Sequence, residues 1–288
     1  IRGLGGARVL VLDDGRRLED YSWGEWEADG GPPVEARQVE RVEVIRGPAA
    51  VLYGADALGG VVNAVPADLP EARAGLVEHV GLEVYGATNN HEAGGAVRVE
   101  GGTPHWGWRL HAIGRGGGDL RTPDGALANT GFGAFNGEAA LGVRGESGNL
   151  TLRYVRYGGE FERMEDPAAA TAAPGDDSGP ERHLADDRVQ LGANYLMSGL
   201  RREARGQWQR HTLAEVVDAP GADGSATYES EQYDLALETT SLDLLAHHEG
   251  EALRGSVGVS GMSQANDSRG PRALVPDAHV VAGGIFAF

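Results

Sequence analysis

The chain has 288 residues, enough to bury a sizeable core as one large domain or two small ones. Asp and Glu number 43 against 25 Lys and Arg, and the formal charge of -18 excludes the basic footprint with which a nucleic-acid binder displaces counterions from phosphates. Zero Cys removes disulfides and thiolate metal sites, and no run approaches the roughly 18 consecutive apolar residues of a membrane helix, which leaves spanning by strands open.

The chain opens on Ile1-Arg2-Gly3 with neither an initiator Met nor a signal segment, and it stops at Ile285-Phe286-Ala287-Phe288 inside a strand-like run, so both ends read as cut. Arg8 to Leu12 (RVLVL) predicts a buried strand closed by a turn at Asp13-Asp14-Gly15. Glu19 to Glu35 has no period and reads as loop. From Val39 to Ile45, Val42 and Val44 alternate with charged residues in a second strand, which Gly47-Pro48 stops because proline donates no ladder hydrogen bond. Ala49 to Leu58 predicts a short helix, Gly59-Gly60 a tight turn, and Val61 to Val65 a third strand ending at Pro66. This is a compact α+β unit, and the change of texture after Pro70 predicts a domain boundary between residues 1–70 and 71–288.

Beyond Pro70 the chain repeats strand-length segments of dyad alternation. Trp106, Trp108, Leu110 and Ala112 take one face, and Arg109, His111 and Arg115 the other. Leu150, Leu152 and Tyr154 likewise oppose Thr151 and Arg153. Tyr233, Leu235 and Leu237 oppose Asp234 and Glu238, after which Leu242 and Leu244 continue the apolar face in the other phase, which predicts a bulge near Thr239-Thr240. The connections alternate in length. Tight turns stand at Thr103-Pro104-His105, Glu146 to Asn149, Met197-Ser198-Gly199 and His248-Glu249-Gly250; polar loops stand at Gly117 to Gly131, Glu160 to Asp187, Glu215 to Glu231 and Asn266 to Pro276. Short turns at one end and long loops at the other describe an outer-membrane β-barrel, here about ten antiparallel transmembrane strands of a larger even-numbered whole. Trp106 and Trp108, beside a short turn, fit an interfacial aromatic girdle.

Val39 to Val65 (VERVEVIRGPAAVLYGADALGGVVNAV) resembles the signature of the TonB-dependent receptor plug, and Ile1-Arg2-Gly3 and Val9 to Gly15 (VLVLDDG) match upstream at the expected distance. Asp13 departs from the family, standing where an apolar residue is more usual, and Ala64-Val65-Pro66 is a less β-branched strand exit. The resemblance implies the C-terminal part of a plug in residues 1–70 and the N-terminal part of a barrel in 71–288, in the outer membrane of a Gram-negative-type bacterium. It implies TonB-energised uptake of a scarce ligand, with the TonB complex contacting a segment ahead of this chain and outer-membrane lipid around the wall. It also implies no resident cofactor, any metal being cargo. Tyr85 to Gly102, Trp208 to Glu215 and Arg254 to Phe288 are more loosely similar to the branch that includes zinc-type importers, which implies a metal ion or a metal chelate such as a siderophore or haem.

A plug inside a wet barrel needs polar strand faces, and Arg41, Glu43 and Arg46 are the candidates for plug gating and barrel contact. In the family, plug arginines of this kind pair with wall carboxylates; the competing reading is an ordinary solvated strand face. Ligand-binding candidates are His79, His111 and His211, which strand parity turns toward the lumen, with His183, Glu160, Glu162 and Asp186 from the acidic stretch Glu160 to Asp187. Catalysis finds no foothold. His91-Glu92 lacks the second His of HExxH, Gly95 standing there; a strand follows Gly3-Leu4-Gly5-Gly6 where a dinucleotide loop needs a helix; and Ser260 has no nucleophile elbow. The rival functions are a passive porin or adhesin barrel, whose Val39 to Val65 strands would continue the barrel sheet, and a soluble β-rich binding domain.

Overall fold

The computed structural model describes residues 8–21, 32–47, 57–164, 179–219, 228–250 and 254–287. Two sheets organise them. The small one has four strands: β1 (Val9–Asp13), β2 (Arg16–Arg17), β3 (Arg41–Arg46) and β4 (Gly60–Val65), in the order β2-β1-β4-β3. β1 runs parallel to β4, and β3 is antiparallel to it. Leu10, Leu12, Ala57 and Val61 form its apolar core. At Asp14 and Gly15 the chain turns through positive φ into β2, a short antiparallel return that the sequence pattern does not announce. The helix expected over Ala49 to Leu58 falls largely outside the described residues; Ala57 and Leu58, which are described, are not helical. Ala36–Gln38 adds one 3-10 turn, capped by the Glu35 side chain on the Arg37 N–H.

The large sheet is antiparallel throughout. Its ten strands are β5 (Val77–Ala87), β6 (Glu92–Gly102), β7 (Trp106–Gly117), β10 (Phe132–Gly145), β11 (Gly148–Glu162), β12 (Glu181–Met197), β13 (Leu200–Ala219), β14 (Tyr228–Glu249), β15 (Arg254–Ser268) and β16 (Ala278–Ala287). A separate hairpin, β8 (Leu120–Thr122) with β9 (Gly125–Leu127), fills the loop between β7 and β10. Each strand pairs with its sequence neighbour, and β5 and β16 stand at the two edges. The residues of the small sheet and its flanks touch strands from β5 (Arg37 to Glu83) to β15 (Tyr21 to Asn266). At about 4.8 Å between strands those two lie nearly 40 Å apart on a flat sheet, so the wall must curl around the inner unit.

Polarity is inverted relative to a soluble protein. Arg109, Glu138, Arg153 and Arg188 are 1% to 7% exposed, while Leu110, Leu141, Leu152, Val80 and Leu82 are 49% to 76% exposed. Strand alternation sends the first set inward and the second outward. An outward apolar face is stable only against a hydrocarbon solvent, and a closed or curled strand wall is the form that satisfies its own backbone there.

The structure corrects two details. The strands run deeper than the sequence pattern indicates, so Glu160 to Glu162 and Glu181 to Asp187 are ladder residues of β11 and β12, paired Glu160 to His183 and Glu162 to Glu181, and not loop. Nor is there a bulge at Thr239-Thr240: the β13 to β14 register is continuous there, and its shift lies at Glu215/Val216. The apolar face changes sides for another reason. Tyr233, Leu235 and Leu237 point inward into a cluster with Tyr21 and Leu213, whereas Leu242 and Leu244 point outward.

Candidate functional site: the interface between inner sheet and wall

Alternation along β1 aims Leu10 and Leu12 into the small core and Asp13 to the opposite side, toward the wall. There Asp13, 4% exposed, sits between two wall arginines. Arg153 Nη1 donates to both its oxygens at 2.9 and 3.0 Å, and Arg188 Nη1 lies 3.5 Å from Oδ2. Gln190 Nε2 donates to the same Oδ2 at 3.1 Å. Burial alone pushes this carboxyl up, but the two guanidiniums and the hydrogen bonds from Arg153 and Gln190 outweigh it and hold the group below its ordinary value.

Asp13 is one link in a row of alternating charge. Glu100 on β6 pairs with Arg109 on β7 at 2.7 Å, Arg109 with Glu138 on β10 at 3.7 Å, and Glu138 with Arg153 on β11 at 3.3 Å. Beyond Asp13, Arg188 pairs with Asp186 at 3.1 Å, where the row of charge ends; His211 Nδ1 lies within hydrogen-bond distance of Asp186, at 3.2 Å. Only Asp13 belongs to the inner sheet. Without it the row would bring two wall arginines together with no anion between them.

Three further contacts hold the inner unit. Glutamines read the backbone after β2: Gln207 Nε2 donates to Arg17 O at 2.7 Å, and Gln209 both accepts from Glu19 N at 3.1 Å and donates to Glu19 O at 2.8 Å. Tyr21 then buries its ring in the inward cluster and donates to Asn266 Oδ1 at 2.6 Å. Glu35, buried, accepts from Asn136 Nδ2 at 3.0 Å and lies 3.7 Å from Arg115. The segment joining the two sheets is held by its carbonyls: Arg109 donates to Ala67 O and Asp68 O, and Arg144 to Leu69 O and Pro70 O, all at 2.7 to 2.9 Å. A cavity of about 490 Å³ opens beside this segment, toward the short turns, lined among others by Arg16, Arg109, Glu138, Arg144 and Arg153.

The gating residues expected from the sequence stand elsewhere. Arg41, Glu43 and Arg46 lie on the fully exposed strand β3. Arg41 donates to Glu43 at 3.0 Å and, at the rim of the cavity, pairs with no wall carboxylate among the described residues; Glu43 accepts from Asn63 instead. The deep pairs have the opposite polarity, inner carboxylates Asp13 and Glu35 against wall arginines. Of the ligand candidates, His111, His211 and Asp186 are buried on the inward face, and His79 is exposed on edge strand β5 opposite Glu100. Glu160, Glu162 and His183 occupy ladder positions of the other parity from Asp186, on the outward side. Among the described residues no three His or acidic side chains are grouped to hold a metal ion.

Residues 1–61 match the family model of the TonB-dependent Receptor Plug Domain. The ferric enterobactin receptor of Pseudomonas aeruginosa is 44% identical over 103 residues, which are 33% of this chain and 13% of that protein. The vitamin B12 transporter BtuB of Vibrio vulnificus is 28% identical over 230 residues, 79% of this chain and 34% of that protein. Among solved structures, the copper transporter OprC superposes with a TM-score of 0.74 at 16% identity, covering 97% of this chain and 41% of that one. The siderophore receptor PirA of Pseudomonas aeruginosa gives 0.69 at 15% identity, covering 100% and 46%. The chain thus spans about a third or less of the curated relatives named and under half of these structures. Residues 1–61 thus belong to the plug-domain family of TonB-dependent receptors, and over its length the chain shares the fold of such receptors.

Proposed function

We propose that the chain is the plug-to-barrel portion of a receptor that takes up a scarce ligand, a metal ion or a metal chelate, with energy relayed by TonB. On this reading residues 1–70 are α+β plug and 71–288 the first ten or so strands of a barrel, its long loops outside the cell. The observation that carries it is Asp13, a buried carboxylate of one sheet held between Arg153 and Arg188 of the other. A permanent structural core gains little from such a pair, since desolvation consumes most of the attraction; a gate gains a joint that is strong when closed and severed by moving one element. The placement of β3 and β4 in a sheet apart from the wall supports a plugged receptor over an open porin. Relatives named for ferric enterobactin and for vitamin B12 support a bulky chelate as cargo, with His111, His211, Asp186 and His79 as lumen-side candidates and Arg41, Glu43 and Arg46, on exposed β3, as candidates for gating or barrel contact.

Calorimetry of the full-length receptor with ferric siderophores, haem, cobalamin and zinc, paired with uptake in cells with and without TonB, tests this. Binding of one metal species and TonB-dependent uptake are expected. Uptake that is equal without TonB would establish the porin reading instead.

A further inference from the structure

The outward face of the wall is nearly free of charge. Taking the outward positions of the ten strands between the short turns and the level of Tyr154 and Trp208, the described residues include two of Lys, Arg, Asp or Glu: Glu78 on edge strand β5 and, away from it on β13, Arg202. Above that level charges return as pairs, Arg156 with Asp187 for example. Arg202 is exposed and has no ion-pair partner among the described residues. It stands two residues from the β12 to β13 hairpin end, about 7 Å along the strand, directly opposite Tyr195. A lone guanidinium at the edge of an apolar band, beside an aromatic, sits at headgroup depth.

The surface around it is hollow. In Arg202's own row Ala246 is its other neighbour; in the next row toward mid-membrane Ala193, Ala204 and Leu244 lie side by side. The small alanines leave a trough of about 570 Å³, walled on its far side by Val259 and Ile285. Charge lies at the end near the short turns, and apolar floor runs from it toward the membrane centre.

We infer that this trough binds one anionic phospholipid of the leaflet on the short-turn side, its phosphate on the Arg202 guanidinium and an acyl chain along Ala204 and Ala193. The charge of Arg202 is complementary to a phosphodiester, and the polarity of the trough matches the direction in which a lipid of that leaflet extends. A guanidinium to phosphate hydrogen bond is of the charge-assisted kind.

The test uses the full-length receptor reconstituted in nanodiscs of phosphatidylcholine containing phosphatidylglycerol, with retained lipid counted by native mass spectrometry. Wild type is expected to retain phosphatidylglycerol. Arg202→Gln should reduce retention about tenfold or more, Arg202→Lys should keep most of it, and Ala204→Phe, which fills the trough and leaves the charge, should also lose it. Heat-modifiable gel mobility verifies that each variant is folded. Equal retention by wild type and Arg202→Gln overturns the inference, as does equal retention of phosphatidylcholine. Loss in Arg202→Gln with none in Ala204→Phe overturns it too, because charge alone would then attract lipid without a built trough.

Discussion

Replacing Asp13 by Asn keeps the shape of the side chain and removes its charge, which isolates the joint between plug and wall. At 2.9 Å from Arg153 and 3.5 Å from Arg188, an effective dielectric of about 20 gives each pair roughly 5 kcal/mol of gross attraction. Desolvation of the carboxylate offsets several kcal/mol of that, yet removal of one partner from a buried pair still costs about 3 to 5 kcal/mol, since the remaining charges stay buried. The cost is borne here by two arginines left facing one another. Hydrogen exchange on the full-length receptor in detergent measures it: peptides covering residues 8–21 should exchange roughly a hundredfold to a few thousandfold faster, at a factor of ten per 1.4 kcal/mol. The wall strands should be little changed. The pH arm has a definite sign. Asp13 is depressed below 3.8, so its contribution is complete above that value and is lost as pH falls through the depressed one; docking should be flat from pH 7 to 5 and loosen in stronger acid. Unchanged exchange over residues 8–21 in Asp13→Asn, or acceleration spread evenly over the wall, would refute the joint.

Other substitutions probe the neighbouring contacts. Gln209→Leu strands the Glu19 backbone groups and removes a 2.6 Å donor to Asp186; a loss of about 1 to 3 kcal/mol per unsatisfied group should appear as faster exchange around Glu19. Tyr21→Phe removes only the bond to Asn266 and should cost about 1 kcal/mol, whereas Tyr21→Ala empties its place in the inward cluster and should cost about 3 to 5 kcal/mol, both read by the same exchange experiment. Gly102→Ala places a methyl 2.0 Å from Pro70 O, a backbone atom that cannot swing aside; strain of about 1 to 3 kcal/mol and protease cleavage near residues 67–71 are expected. Arg109→Met frees Ala67 O and Asp68 O and should open the same segment to cleavage while the small sheet stays intact.

The wall was legible in the sequence because its physics is local. Dyad alternation at Trp106 to Arg115 and at Leu150 to Tyr154, with short and long connections in turn, assigns strands, faces and ends without any long-range information. Two features escaped for the same reason. Tyr233 to Leu237 has the alternation of an outward face, and only Tyr21, more than 200 residues away in the chain, converts it to an inward one. Strand ends at Glu160 and Glu181 look like loop because acidic residues terminate most soluble strands; a ladder that extends past the membrane meets water on both sides and tolerates them. The glutamines at 190, 207 and 209 share the inward parity of β12 and β13, and amides on that face signal polar groups of another segment beside them: Gln207 and Gln209 meet backbone, and Gln190 meets the Asp13 carboxylate.

Asp13 shows why the joint between the two sheets was harder to read than the wall. On a β1 whose other residues are apolar, a single acid looks like a flaw in packing, and the charged strand Val39 to Ile45 looks like the face that meets the lumen. The structure puts the buried contact with the wall at Asp13 and leaves β3 exposed. β3 is an edge strand of the small sheet and its charges find each other or water, so Arg41 and Glu43 neutralise locally. β1 lies between β2 and β4, where a charge has no access to solvent and must be met by the wall. Burying one carboxylate is costly, and it is tolerated because Arg153 and Arg188 are themselves buried and would be left without it. The dependence is therefore mutual, and a pull that withdraws β1 exposes both sides of the pair at once. A charge at the centre of the small sheet thus couples it to the wall more tightly than several at its rim.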